Sequence, residues 1–94
     1  MIQPDPVRAR VTIVNKRGLH ARASAKFVNT VARFQAEVQV TKGDTTVDGR
    51  SIMGLMMLGA GLGADLALAA TGPEAAGVIG ALVALIAARF DEDS

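Results

Sequence analysis

The sequence predicts an α+β fold, a two-layer open-faced sandwich of order β-α-β-β-α-β-α, with four antiparallel strands in one sheet and three helices on one face. Three observations lead there. Val7, Ala9, Val11 and Ile13 alternate with more polar residues, whereas Leu19, Ala23, Phe27, Val31 and Phe34 recur at helical spacing, so a half-buried strand hands over to an amphipathic helix. Lys42-Gly43-Asp44 separates two short segments and supplies hairpin chemistry that makes them antiparallel neighbours. Short hairpins, combined with helices linking strands that are not neighbours, favour a sheet covered on one side.

The first strand runs from Val7 to Val14 and ends in the polar turn Asn15-Lys16-Arg17-Gly18. A helix follows from about His20 to Arg33. Ala36, Val38 and Val40 then alternate with Glu37, Gln39 and Thr41 as a second strand, paired across the hairpin with a third, Thr45 to Asp48. Ser51 is a natural N-cap for an apolar helix from Ile52 to Leu58, stopped at Gly59. Leu66 and Leu68 alternate between Gly63 and Gly72, a segment too short for a helix to bury much surface, so it reads as the fourth strand. Gly72-Pro73-Glu74 starts the last helix, with proline inside the first turn and an acid near the positive dipole end, and that helix runs to about Arg89.

Ninety-four residues suit one domain, 1–94, with residues 1–6 as an extended lead-in and Asp91 to Ser94 as an acidic tail. Half the residues are apolar, yet there is no Trp or Tyr and only three Phe, so the core must be built from aliphatic side chains. A net charge of +1 gives no whole-molecule attraction to nucleic acid or anionic membrane. Arg8, Arg10, Lys16, Arg17, Arg22, Lys26 and Arg33 nonetheless crowd the first third, so any electropositive patch is local to the histidine. The absence of cysteine excludes disulfides and thiolate metal sites and fits a reducing compartment, the cytoplasm being the simpler reading. The proline-rich opening is unlike a secretory signal. The uncharged run Ala75 to Ala88 is shorter than the roughly 20 residues that cross a bilayer, so no membrane insertion is expected.

His20 is the only histidine, and it stands where an extended segment gives way to a helix. Helix N-termini carry amides without intrahelical partners and a positive dipole end, which suits an anion, and Arg22 adds fixed charge in the first turn. A neutral imidazole is a nucleophile near neutral pH. A phosphoryl group accepted there would bring negative charge to amides and a guanidinium placed to receive it. No acid adjoins His20 in sequence to activate a water against that product, an absence that suits a carrier. The plain alternative is a surface or capping histidine. One histidine without cysteine or a nearby carboxylate pair is no metal ligand set, and no cofactor is expected.

Gly18-Leu19-His20-Ala21-Arg22, continuing to Ala25-Lys26-Phe27-Val28, resembles the active-site motif of HPr, the histidine-containing phosphocarrier family of the bacterial phosphoenolpyruvate-dependent phosphotransferase system. Arg50 to Gly59, reading Arg-Ser-Ile-Met-Gly-Leu-Met-Met-Leu-Gly, is similar to the regulatory-serine segment of the same family and lies at the family's usual separation from the first motif. The resemblance covers Val7 to Arg89 and implies an HPr-like fold. It also implies that the carrier accepts a phosphoryl group from phospho-enzyme I on Nδ1 of His20 and passes it to enzyme IIA components. Arg22 matches the arginine that stabilises the transferring group. Ser51 matches the serine modified by HPr kinase/phosphorylase in many bacteria, and a phosphate on an N-cap would face a favourable dipole. As a cap alone it would contribute about 1 kcal/mol.

Two departures from the family concern the surroundings of the histidine. Ala23 stands where proline is usual and restores an amide in the first turn, so Gly18, Ala21 and Ala23 are the expected backbone support for a phosphate. Arg17 precedes Gly18 where relatives often have asparagine. Ile52, Met53, Met56 and Met57 cannot all be buried by one helical face, and adaptable apolar side chains suit docking of several partners. Met53 and Met56 or Met57 should be at least partly exposed, and Leu55 and Leu58 inside. Sugar uptake and the nitrogen-related branch of the system both fit these residues. A scaffold domain that never carries phosphate is the main alternative. A nucleic-acid module of similar element order would need aromatics on the sheet, and the strands contain none. A shuttle with one reactive face is expected to be a monomer.

Overall fold

Alternation in the sequence becomes alternation in burial. In this computed structural model, which describes residues 5–94, Val7–Thr12 (β1) is half-buried at every second residue. The lead-in expected over residues 1–6 therefore falls mostly outside the described residues. Then come Ala21–Val31 (α1), Glu37–Lys42 (β2), Thr45–Asp48 (β3), Ile52–Met57 (α2), Asp65–Thr71 (β4), Ala75–Ala87 (α3) and a final single turn, Arg89–Asp91. The sheet order is β1-β4-β2-β3, antiparallel throughout. β4 lies between β1 and β2, with Leu68 opposite Ala9 on one side and Val40 on the other. β2 and β3 close on each other at Lys42 and Thr45 around Gly43, whose φ of +59° fits the first central position of a type II′ turn.

The inward face of the sheet, Val38, Val40, Leu66, Leu68 and Ala70, is buried beneath the helices, while Arg8, Arg10, Gln39 and Asp48 face outward on the opposite side. α1 presents Ala23, Phe27 and Val31 to this core, as its spacing required, and α3 contributes Val78, Leu82 and Ile86. Burying one such aliphatic or aromatic side chain stabilises the fold by about 1.5–3 kcal/mol. No helix of the described residues is long and apolar enough to cross a membrane.

Several element ends differ from expectation: α1 closes at Val31 short of Arg33, β2 begins at Glu37 one residue after Ala36, and α2 closes at Met57 with Leu58 as its cap. β1 stops at Thr12, because Ile13 leaves the ladder to exchange hydrogen bonds with Gly63 and Ala64, and Val14 turns outward. Pro73 lies outside α3, not in its first turn. Glu74 is the N-cap, and its carboxylate accepts from the Gln35 N–H at 2.8 Å instead of capping the helix. α3 itself ends at Ala87, and Arg89, Phe90 and Asp91 all adopt left-handed backbone, with φ of 58°, 53° and 63°. That conformation costs about 1–2 kcal/mol per residue without glycine. It is offset by complete burial of Phe90 and by Lys26, whose Nζ donates to the Phe90 carbonyl at 2.6 Å.

Candidate functional site

The turn after β1 delivers the histidine. Gly18 N–H donates to the Asn15 carbonyl at 3.3 Å, the Asn15 side-chain amide donates back to the Gly18 carbonyl at 2.9 Å, and Leu19 N–H reaches the Ala60 carbonyl at 2.9 Å. His20 then takes the N-cap position of α1 in extended conformation (φ −71°, ψ 179°), and its carbonyl accepts the first intrahelical bond, from Ser24 N–H, at 2.9 Å. The amides of Ala21, Arg22 and Ala23 come before that bond and have no partner within the helix. The His20 side chain makes no cap bond, which frees the imidazole for other contacts.

Its contact is with the tail. His20 Nε2 lies 2.5 Å from Glu92 Oε2, and the other carboxylate oxygen of Glu92 accepts from Asn15 Nδ2 at 3.1 Å. The left-handed turn at Arg89–Asp91 aims the chain there, and Lys16 N–H fastens it by donating to the Ser94 carbonyl at 3.1 Å. A carboxylate thus stands beside the histidine although none adjoins it in sequence. One of its oxygens is engaged by the ring and the other by Asn15. The expected electropositive patch is real but shared. Arg17, Arg22 and Lys26 line a cavity of about 310 Å³ whose remaining walls are Asp91, Glu92, Asp93 and Ser94.

Burial pushes the Glu92 carboxyl up, but the hydrogen bonds from His20 and Asn15, reinforced by the charges of His20 and Arg17, outweigh it and hold the group below the ordinary carboxylate value of 4.5. A lowered carboxylate stabilises the fold above its unfolded value, and that contribution is lost as pH falls through the folded value. Wild type should therefore be more stable than Glu92→Gln at neutral pH, and the two thermal midpoints should converge below pH 4.5, which paired melting curves would measure.

The remaining candidate residues divide by position. Arg22 and Ala21 are exposed, Gly18 is buried with φ +67°, and Ala23 is fully buried in the core, so only its amide is available to a ligand. Ser51 caps α2 as expected, its Oγ accepting from Gly54 N–H at 2.9 Å. Ser51→Ala should cost about 1 kcal/mol in urea unfolding. Met53 and Met57 are 69 % and 79 % exposed and Ile52 and Met56 about 40 %, whereas Leu55 and Leu58 are buried, so the apolar patch on α2 is open. The Leu19–Ala60 bond ties the loop after α2 to the turn that carries His20. Sequence reasoning missed Asn15 as more than a turn residue and Glu92 as more than a tail acid.

Similarity to known proteins gives the family. A family model described as the PTS HPr component phosphorylation site matches residues 7–88. The chain is 48% identical to the phosphocarrier protein HPr of Cupriavidus necator over 98% of each chain, and 40% identical to the phosphocarrier protein NPr of Shewanella violacea over 90% of this chain and 93% of that one. The crystal structure of HPr-C-His from Thermoanaerobacter tengcongensis superposes with a TM-score of 0.89 at 40% identity, covering 94% of this chain and 99% of that one. On the strength of the fold, the two sequence motifs and these matches, the chain belongs to the HPr family, the phosphocarriers of the phosphotransferase system, which relay a group instead of turning over a substrate of their own.

Proposed function

We propose that His20 accepts a phosphoryl group on Nδ1 from phospho-enzyme I, charged by phosphoenolpyruvate, and passes it to an enzyme IIA component. The observation that carries this reading is the engagement of Nε2 by Glu92, which leaves Nδ1 as the ring nitrogen with no hydrogen-bond partner among the described residues. Ala21 and Ala23 offer amides, and Arg22 a guanidinium on the cavity rim, for the arriving charge. Gly18 serves the site by shaping the turn, not by touching phosphate. Ile52, Met53, Met56 and Met57 form the surface on which successive partners dock, one at a time, on a monomer in the cytoplasm. Ser51 is the regulatory site for HPr kinase/phosphorylase in cells that have it.

The test is incubation with enzyme I and phosphoenolpyruvate, followed by intact mass measurement at alkaline and then acidic pH. A phosphoryl-sized gain that acid removes supports a phosphohistidine. A gain that survives acid belongs to a hydroxyl such as that of Ser51. No gain, with a cognate enzyme I and folded protein, leaves α2 as the functional surface and removes the carrier role from His20.

A further inference from the structure

Asn15 is completely buried, yet it lies in a polar turn and takes no part in the apolar core. Its Nδ2 donates to two acceptors from opposite ends of the chain, the Gly18 carbonyl at 2.9 Å and Glu92 Oε1 at 3.1 Å. Its Oδ1 has no hydrogen-bond partner among the described residues. The side chain cannot be reversed to satisfy that oxygen, because it would then face two acceptors and no donor. The amide is therefore committed to one orientation, in which it joins the turn that delivers His20 to the tail that delivers Glu92.

We propose that Asn15 and Glu92 are positioning residues for phosphoryl transfer, acting together to fix His20 as the Nε2–H tautomer. This rests on the carrier reading above. An ionised carboxylate only accepts, so the proton between Glu92 and the ring must sit on Nε2, and the lone pair is on Nδ1. Asn15 holds the carboxylate by its other oxygen and fixes its direction. During transfer the Nδ1 lone pair forms the new bond to phosphorus while the donor's bond to phosphorus breaks and its electron pair stays with the donor. The ring keeps its Nε2 proton and becomes a phosphoimidazolium, whose positive charge faces the Glu92 carboxylate. On transfer to the acceptor the electron pair of the N–P bond returns to Nδ1. No proton has to enter or leave at Nε2 in either direction, so one carboxylate serves both halves of the relay.

His20 is the only histidine, so the ring nitrogens of uniformly ¹⁵N-labelled protein report it without ambiguity. The tautomer ratio is read by NMR on the unphosphorylated protein at a pH where the ring is neutral. Loss of a charge-assisted hydrogen bond should raise the share of the Nδ1–H form about tenfold in Glu92→Ala, a change in the tail that spares the core. Asn15→Asp, which places a second acceptor against Glu92, should do the same. The double variant Asn15→Asp with Glu92→Gln exchanges donor and acceptor, since the introduced glutamine amide then donates to the introduced aspartate while the glutamine oxygen accepts from the ring. It should move the ratio back toward wild type without reaching it, because the Gly18 carbonyl stays unpaired and the glutamine oxygen is an uncharged acceptor. Phosphoryl uptake should slow in both single variants and recover in part in the double. An unchanged tautomer ratio in Glu92→Ala, or a double variant no better than Asn15→Asp in both readouts, would overturn the proposal. Normal tautomer selection in a protein that never accepts phosphate would leave the pair structural and overturn the carrier reading instead.

Discussion

Incubated with enzyme I and phosphoenolpyruvate, the His20→Gln protein is expected to keep its unmodified mass while wild type gains a phosphoryl group that acid removes. Glutamine retains an amide that can donate toward Glu92, but its nitrogen lone pair is delocalised into the carbonyl and is no nucleophile. The fold should survive the change. The His20 side chain makes no cap bond and contributes nothing to the apolar cluster, and the helix bond at this position comes from its backbone carbonyl to Ser24. The expected outcome is thus complete loss of acid-labile label with an unchanged circular-dichroism spectrum. With no second histidine in the chain, retention of that label would move the acceptor to a lysine or arginine and end the His20 assignment.

Gly18→Ala is expected to be the most damaging single methyl group near the site. At φ +67° an added Cβ would fall 2.3 Å from the Ala60 carbonyl oxygen and 2.8 Å from the Gly61 Cα, both backbone atoms that cannot rotate away. Left-handed backbone costs an alanine about 1–2 kcal/mol, and forced overpacking about 1–3 kcal/mol more. A loss of roughly 2–5 kcal/mol should appear in urea unfolding. Gly43→Ala is the internal control, because Gly43 has a similar φ of +59° but no atom of the described residues within 4 Å of the added carbon, so only the backbone cost applies. Equal losses in the two variants would show that the Ala60 contact is yielding and that Gly18 is needed only for its dihedral angle. The clash also reaches function, since the Leu19–Ala60 hydrogen bond aligns the residue immediately before His20.

The parts of the site legible in the sequence are those specified by neighbours. Gly18 through Arg22 announce a turn and a helix start, Ser51 announces a cap, and the surplus of methionine after it announces an open face. These follow from local periodicity and backbone preference, and each side chain stands where that logic put it. The unreadable part is the pairing of residues 72 positions apart, His20 and Glu92. An acidic tail reads as a solvated terminus, and its direction depends on a left-handed turn containing no glycine to mark it. Arg89 reads as the end of a helix because a basic residue suits that position. The burial of Phe90 and the grip of Lys26 on its carbonyl outweigh that preference and turn the chain back toward the site.

The position of β1 in the sheet has a consequence in time. Its one strand partner among the described residues is β4, and residues 7–12 find their backbone ladder on residues 65–70. Contacts so distant along the chain must absorb the entropy of closing a long loop before they return any stability, which slows folding relative to a helical bundle of the same size. A chain growing from its N-terminus therefore has its histidine long before it has anything to hold it. The strand, the turn and the tail that define the imidazole's surroundings come together only when β4 and α3 have been made, so assembly of the site is a late event in the folding of the whole sheet.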